Sequence, residues 1–220
     1  MTSNKSKWLR ARHPEQIEER RNCILDAASA LLVEQGLEGT GINAIARQAD
    51  ISKANIYRYF ESREAILLHL LMKEHERWMK ALQRRLKKLS GSQDEEQIVK
   101  AITASLAKRP TYCLLVGSLA NVLEQNVSTE TIREFKRELQ GLAAPVCLSL
   151  QQAHSGLTPD VGQNFLAILS MSAAGIWPHC NPSPAVREVL AEHEFAPFRF
   201  TFQSTLLLSG LGLMRQMLDS

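Results

Sequence analysis

The segment from Gly41 to Phe60 constrains the fold of this chain more than any other. Apolar residues recur in its first half three and four positions apart, which is the spacing of one buried helical face. They are Ile42, Ile45, Ala46 and Ala49. The turn-forming Asp50 then interrupts the pattern, and the hydroxyl of Ser52 is suited to cap a new helix. The segment therefore predicts a helix-turn-helix, two short helices joined by a tight turn.

The second of these helices is predicted to present a polar face to DNA. Ile56 and Phe60 lie one turn apart and are predicted to anchor the helix. The residues left to face outward are Lys53, Asn55, Tyr57, Arg58 and Tyr59. Amides and guanidinium groups can hydrogen-bond base edges in the major groove, while Lys and Tyr side chains can hold phosphates. The alternative is an ordinary solvated helix face, because charges and amides are common on exposed surfaces.

The motif stands within a longer ordered pattern. The apolar helix ILDAASALLVEQG precedes a glycine turn at residues 36–40, which is followed by IAxxA, by SKxxxYxYF and by the opening of a long helix at residues 62–67. From about Ile17 to about Arg77, this order resembles the DNA-binding domain of the TetR family of bacterial transcriptional regulators. A lone helix-turn-helix pattern is weak evidence, whereas this combination is specific.

The resemblance implies roles for individual residues. Tyr57 and Arg63 stand where the family has phosphate-contacting residues, and Lys53, Asn55, Arg58 and Asn43 stand where its groove-facing residues vary. Two positions depart from the family pattern. Gly41 replaces a frequent Ser or Thr, for which Thr40 is expected to substitute, and Ala54 replaces a frequent Gly. The expected DNA-binding residues are Thr40, Asn43, Ser52, Lys53, Ala54, Asn55, Tyr57, Arg58, Tyr59 and Arg63.

Charge is distributed unevenly along the chain. Residues 1–89 hold 17 Lys and Arg against 11 Asp and Glu, whereas residues 90–220 hold 9 against 12. The front half is therefore the half suited to phosphates. Residues 1–16 are predicted to form a basic arm that adds salt-dependent affinity for DNA or enters a minor groove, although a solubilising tail fits the same residues. Its cations are Lys5, Lys7, Arg10 and Arg12.

Helical periodicity continues through the rest of the chain, and no strand pattern interrupts it, so the fold is predicted to be all-α. A long helix at 61–89 is predicted to join a DNA-binding domain at 17–77, with its motif at 41–60, to a helical domain at 78–220 that binds an effector and dimerises. Ser92 and Ser128 are predicted to cap the helices that follow them. Further helices are predicted at 112–126, 129–155, 159–177, 183–192 and 199–218.

Two helices of the second domain, at 159–177 and 199–218, are rich in small and apolar residues. They are predicted to form the two-fold interface of a homodimer, which would match a palindromic operator; the alternative is that they fill a monomer core. The resemblance also implies a cavity for a small, mainly apolar effector, although the same side chains would suit plain core. The expected lining residues are Tyr112, Cys113, Val116, Phe135, Leu139, Met171 and Trp177.

The remaining motifs argue against other classes. The four cysteines, which form no CxxC pair, are interpreted as buried reduced thiols, with redox sensing as the alternative. We expect no metal, no cofactor and no enzymatic activity, because no catalytic fingerprint is present.

Without a signal peptide or membrane-spanning run, the protein is expected in the cytoplasm, on the nucleoid when bound to double-stranded DNA. The leading hypothesis is a ligand-released repressor, and the alternative is a helical adaptor whose helix-turn-helix contacts protein.

Overall fold

A computed structural model describes residues 14–219, and within that range the chain forms ten α-helices and no strand. The predicted all-α fold is confirmed. The cations of the predicted basic arm lie outside the described residues. The helices are α1 (Pro14–Gly39), α2 (Ile42–Gln48), α3 (Lys53–Ile56), α4 (Arg63–Leu86), α5 (Glu95–Ala107), α6 (Pro110–Gly117), α7 (Thr129–Ala153), α8 (Pro159–Cys180), α9 (Pro184–Ala191) and α10 (Phe202–Leu218).

The chain divides into two compact units, one ending at Leu70 and the other beginning at Leu71. Both boundary residues lie within α4, so this helix contains residues of each unit. The domain boundary expected at residues 77 and 78 lies further along the same helix.

The first unit is built on an apolar stripe of α1, which packs with α2, and α2 packs in turn with α3. Buried side chains of this unit include Ile24, Leu31, Leu32, Ile45, Ile56, Phe60, Ile66 and Leu67. The apolar spacing of α1 also predicts Ile17 in this core, but Ile17 is 41% exposed because it belongs to the solvated first turns of the helix. The predicted glycine turn is present: Gly36 has φ +67° and ψ −168°, a conformation that strains residues with a Cβ atom.

Helix caps follow the sequence prediction at two of three positions. The hydroxyl oxygens of Ser52 and Ser128 accept hydrogen bonds from the backbone N–H groups of Asn55 and Thr131, each at 3.2 Å. The predicted Ser92 cap is wrong, because the carboxylate of Asp94 caps α5 by accepting from the backbone N–H of Gln97 at 2.9 Å. Ser92 instead accepts from the N–H of Asp94 at 3.3 Å, within the preceding turn.

In the second unit, α8 packs against α6, α7 and α10, and α10 also packs against α5. A small residue permits one of these approaches: a Cβ atom on Gly210 would lie 2.8 Å from Val99 Cγ1 and 3.2 Å from Leu169 Cδ1. Gly210 therefore fills the core of the monomer and not an interface surface.

Two irregular segments of the second unit depart from the predicted helices. The helix predicted over 112–126 ends at Gly117, and the residues Leu119–Leu123 form a π-helical turn instead. Between α9 and α10 the segment His193–Phe198 forms a 3₁₀-helix that the sequence pattern did not predict. No helix within residues 14–219 is long and apolar enough to span a lipid bilayer.

Candidate DNA interface and internal cavity

The second helix of the motif is shorter than predicted. Regular α-helix ends at Ile56, and hydrogen-bonded turns continue to Phe60, whose N–H donates to the carbonyl of Ile56 at 3.0 Å. The two predicted anchors are confirmed, because Ile56 and Phe60 are both buried. The short helix and its turns are thus fixed to the core of the first unit by one face.

The opposite face carries most of the residues predicted to contact DNA. Asn43, Ser52, Lys53, Ala54, Tyr57 and Arg58 are exposed, and Asn55 and Tyr59 are half-buried. Tyr57 is 49% exposed, and the Lys53 ammonium group lies 6.0 Å from the centroid of its ring. A cation, a phenol, an amide and a guanidinium group are therefore presented within six consecutive residues.

Thr40 does not supply the hydroxyl missing at Gly41. Its side chain is fully buried, and its Oγ1 donates to the carbonyl of Gly36 at 2.8 Å. Helix α2 is capped by the backbone of Gly41 without any side-chain hydrogen bond. The expectation for Thr40 is corrected, because its hydroxyl satisfies the carbonyl that the bend at Gly36 leaves without a helical partner.

Arg63 forms hydrogen bonds within the protein. Its Nε donates to the carbonyl of Thr40 at 2.8 Å, its Nη2 donates to the carbonyl of Leu37, and its Nη1 pairs with Glu64 at 3.3 Å. These bonds tie the turn between α1 and α2 to the start of α4. The expected phosphate contact of Arg63 stays a prediction, and the structure adds a positioning role.

Sequence reasoning missed a second arginine that supports the motif. Arg21 in α1 donates from Nη1 to the carbonyl of Tyr59 at 3.0 Å, and its Nη2 lies 2.7 Å from Nε2 of His69. Its guanidinium carbon lies 4.6 Å from the ring centroid of Phe60. Because guanidinium only donates and the carbonyl of Ala65 only accepts, His69 must accept at Nε2 and donate from Nδ1, which lies 2.8 Å from that carbonyl.

The second unit contains a partly open cavity of about 730 Å³, a size typical of small-molecule sites. Side chains from α4, α6, α7 and α8 and from the π-helical turn line it. Apolar groups dominate the lining, and they include Leu71, Met79, Leu119, Leu166, Ala167 and Ala174. Five of the seven residues expected to bind a ligand also line the cavity: Tyr112, Val116, Phe135, Leu139 and Met171.

The other two expected residues pack elsewhere. Cys113 is fully buried, and its Sγ lies 3.5 Å from the carbonyl oxygen of Leu106. Trp177 packs edge-on against Phe202, with 5.0 Å between ring centroids. The expectation is corrected for both, because helical spacing placed them on the right helices but not on the faces that line the cavity.

Polar side chains form a small cluster in the otherwise apolar lining. Nδ1 of His75 lies 3.2 Å from the hydroxyl oxygen of Tyr112, which is also hydrogen-bonded to Ser170. His75 is only 8% exposed, and burial lowers its pKa from 6.5 to about 4. Burial likewise raises the pKa of the Tyr112 phenol. The cluster is therefore uncharged at neutral pH.

All four cysteines are free thiols, as predicted. The predicted burial is confirmed for Cys113 and Cys147 and is wrong for Cys23 and Cys180, which are half-buried. Burial raises the pKa of each thiol above its usual value, so none is activated as a thiolate at neutral pH. Within residues 14–219, no group of three or more His, Cys, Asp or Glu side chains could hold a metal ion.

Comparison with family models identifies the kind of protein. Residues 24–70 match the model described as bacterial regulatory proteins, tetR family. Residues 72–209 match the model of the tetracyclin repressor-like C-terminal domain, and this match alone covers more than half of the 220 residues. The chain belongs to the TetR family. The family models also meet within α4, close to the division between the two units.

Individual helix-turn-helix regulators match parts of the chain. The HTH-type transcriptional regulator HbdR of Aromatoleum sp. (strain CIB) is 33% identical over 128 residues, which are 57% of this chain and 52% of HbdR. The HTH-type transcriptional repressor KstR of Rhodococcus jostii (strain RHA1) is 42% identical over 59 residues, which are 27% of this chain and 28% of KstR. The chain thus spans 28% to 52% of the length of these curated relatives.

A solved structure matches over nearly the whole TetR-family chain. The fatty acid degradation regulator FadR from Bacillus halodurans superposes with a TM-score of 0.54, covering 92% of this chain and 97% of FadR. Sequence identity is 18%, so the likeness extends to the fold alone.

Proposed function

We propose that this TetR-family protein is a sequence-specific transcriptional regulator, a repressor that a small and mainly apolar effector releases from a palindromic DNA operator. The observation that carries the proposal is the polar face of α3, which is exposed while Ile56 and Phe60 fix the helix to the core. The cavity of the second unit supports the effector half of the proposal.

In this proposal, some residues of the exposed face of α3 contact DNA phosphates and others contact base edges. Tyr57 and Lys53 hold phosphates and set the register of the helix on the duplex. Asn55 and Arg58 hydrogen-bond base edges, with Asn43 of α2 beside them. Arg21 and Arg63 act behind this face, since Arg21 fixes the turn that follows α3 and Arg63 fixes the turn between α1 and α2.

Dimerisation through α8 and α10 completes the DNA-binding unit. Both helices expose large apolar side chains, including Ile168, Met171 and Leu208, and α10 adds the exposed small residues Ser204, Ser209 and Gly212. A two-fold interface of this kind would present two recognition helices to the two halves of a palindrome. Similarity to KstR, a transcriptional repressor, favours repression over activation.

Helix α4 offers a route between ligand and DNA. It contributes Leu71, His75 and Met79 to the cavity lining, and its Arg63 holds the turn between α1 and α2. An effector that fits the cavity in only one arrangement of α4 would shift the population towards that arrangement. Release follows if the favoured arrangement spaces the two recognition helices wrongly for the operator.

Selection of bound sites from random duplex DNA, followed by titration of the selected sequence at several salt concentrations, tests the proposal. We expect a palindrome bound by a dimer, with an affinity that falls steeply as salt rises, because phosphate contacts release counterions. Tyr57→Phe should weaken binding to every sequence by about tenfold, whereas Asn55→Ala should change the selected sequence.

The control variant is Lys100→Ala, which removes an exposed cation from α5. It should bind the selected sequence as tightly as the unaltered protein, whereas Lys53→Ala should bind more weakly and show a smaller salt slope. Binding without sequence preference, or equal losses in the Lys100 and Lys53 variants, would favour the adaptor alternative.

A further inference from the structure

We propose that His75 recognises a neutral hydrogen-bond acceptor on the effector, such as a ketone, ester or amide oxygen, within an otherwise apolar cavity. The proposal rests on the proposed function in one respect: it takes the cavity as the site of a ligand. It adds the chemical class of that ligand and the residue that selects it.

The first step is the hydrogen-bonding state of the polar cluster. The hydroxyl of Tyr112 is hydrogen-bonded to two groups, Ser170 and Nδ1 of His75. A phenol is a stronger hydrogen-bond donor than a neutral imidazole N–H, and an imidazole nitrogen is a stronger acceptor than a hydroxyl oxygen. The phenolic proton of Tyr112 is then directed at Nδ1 of His75, 3.2 Å away. A neutral imidazole that accepts at Nδ1 carries its proton on Nε2.

The second step is that this Nε2–H group has no partner within the protein. Nε2 of His75 is buried, and no described residue lies within hydrogen-bonding distance and geometry of it. Buried donors without a partner are rare, because the lost hydration is not replaced. His75 also lines the cavity, so a molecule bound there is positioned to supply the missing acceptor.

The other polar residues of the lining do not need a hydrogen-bond partner from the ligand. Asn121, Lys136, Gln140 and Gln163 are exposed, so water can satisfy them with or without a ligand. A water molecule can also serve His75 in the empty cavity, but an apolar ligand that displaces this water leaves the donor unpaired. A ligand with a matching oxygen therefore binds better than one without it.

The third step is that the acceptor is neutral. Burial keeps the imidazole uncharged, because it lowers the pKa of His75 to about 4. Lys136 pairs with Glu124 at the surface and does not compensate a negative charge near His75. A buried carboxylate would thus lose its hydration without gaining a cation.

A matched pair of probes tests the proposal without knowledge of the natural effector. Butylbenzene and butyrophenone differ in one position, where the second has a carbonyl group in place of a methylene group. Their dissociation constants are measured by calorimetry on the full-length protein, on His75→Leu and on Tyr112→Phe. The quantity compared between proteins is the ratio of the two dissociation constants. The two probes differ in hydration, but this difference is the same for every protein and therefore cancels in the comparison.

We expect the preference for butyrophenone to be about tenfold greater in the unaltered protein than in His75→Leu, the size typical of one satisfied buried donor. His75→Leu should still bind butylbenzene, which shows that the cavity is intact. Tyr112→Phe should show an intermediate preference, because it removes the group that holds the proton on Nε2. Leu139→Ala is the control: it should weaken both probes and leave their ratio unchanged.

Nitrogen NMR of His75 gives a readout that a purely structural role would not move. The Nε2–H signal should shift on addition of butyrophenone and not on addition of butylbenzene. Equal ratios in the unaltered protein and His75→Leu, or no binding of either probe, would overturn the proposal. If the ratio behaves as expected while neither probe releases the selected DNA, the subsite stands and ligand-controlled release, part of the proposed function, fails.

Discussion

At the scale of single residues, the fold brings together two pairs of polar side chains that local sequence does not predict. Arg21 contacts His69 across 48 positions, and His75 contacts Tyr112 across 37. Periodicity correctly assigned Ile24, Ile56 and Phe60 to the core, because burial repeats along one helix. It could not assign Arg21, because that role depends on which distant groups the fold brings beside the guanidinium group.

The burial of His75 predicts a pH dependence of stability. The folded state keeps the imidazole neutral down to a pKa of about 4, whereas the unfolded chain takes up a proton near 6.5. Stability should therefore be unaffected by this group above 6.5 and should fall between pH 6.5 and pH 4, by up to about 3 kcal/mol. His75→Leu should remove that part of the dependence.

Urea unfolding at pH 7 and pH 5, at one protein concentration, measures the effect. The difference in unfolding free energy between the two pH values should be smaller in His75→Leu than in the unaltered protein. His193→Leu, which alters an exposed histidine, should leave the difference unchanged. An unaltered pH dependence in His75→Leu would show that His75 is not held neutral by the fold.

At the scale of secondary-structure elements, helix positions were predictable and helix ends less so. Long periodic segments such as α4 and α7 agree with the structure to within a few residues, because many apolar positions define each of them. The ends of short helices depend on one or two side chains, and a neighbouring residue can take over their role. Asp94 displaced Ser92 as the cap of α5, and the π-helical turn after Gly117 replaced the end of a predicted helix.

The turn that positions α2 depends on one glycine. Gly36 adopts φ +67° and ψ −168°, a region open almost only to glycine, so Gly36→Ala should destabilise the first unit by about 1–3 kcal/mol. Gly141→Ala is the matched control, since Gly141 lies within α7 with open space around its would-be Cβ atom, and it should be neutral or stabilising by up to about 1 kcal/mol. Thermal unfolding measures both, and equal melting temperatures would contradict the role of Gly36.

At the scale of the whole molecule, the small residues of α8 and α10 fall into a buried group and an exposed group. Ala173 and Gly210 are buried within the second unit, so the alternative of a filled monomer core is correct for them. Gly175, Ser204 and Gly212 are exposed and remain available to a partner. Sequence periodicity cannot separate the two groups, because a helix buried against neighbours of its own chain and one buried against a second copy show the same apolar faces.

The exposed apolar face of α8 and α10 gives the prediction for the assembly. Leu208 on α10 is 75% exposed in the single chain, so Leu208→Glu should fold normally but place two carboxylates close to the two-fold axis of a dimer. Burying such charges without partners costs several kcal/mol, so the dimer dissociation constant should rise at least about a hundredfold. Sedimentation measures this constant, and operator binding should weaken with it because each monomer reads only half of the palindrome.

Val33→Glu in α1 changes an equally exposed apolar residue, at 72%, and should leave both the dimer and its DNA affinity intact. A Leu208 variant that remains as dimeric as the Val33 variant would place the interface elsewhere.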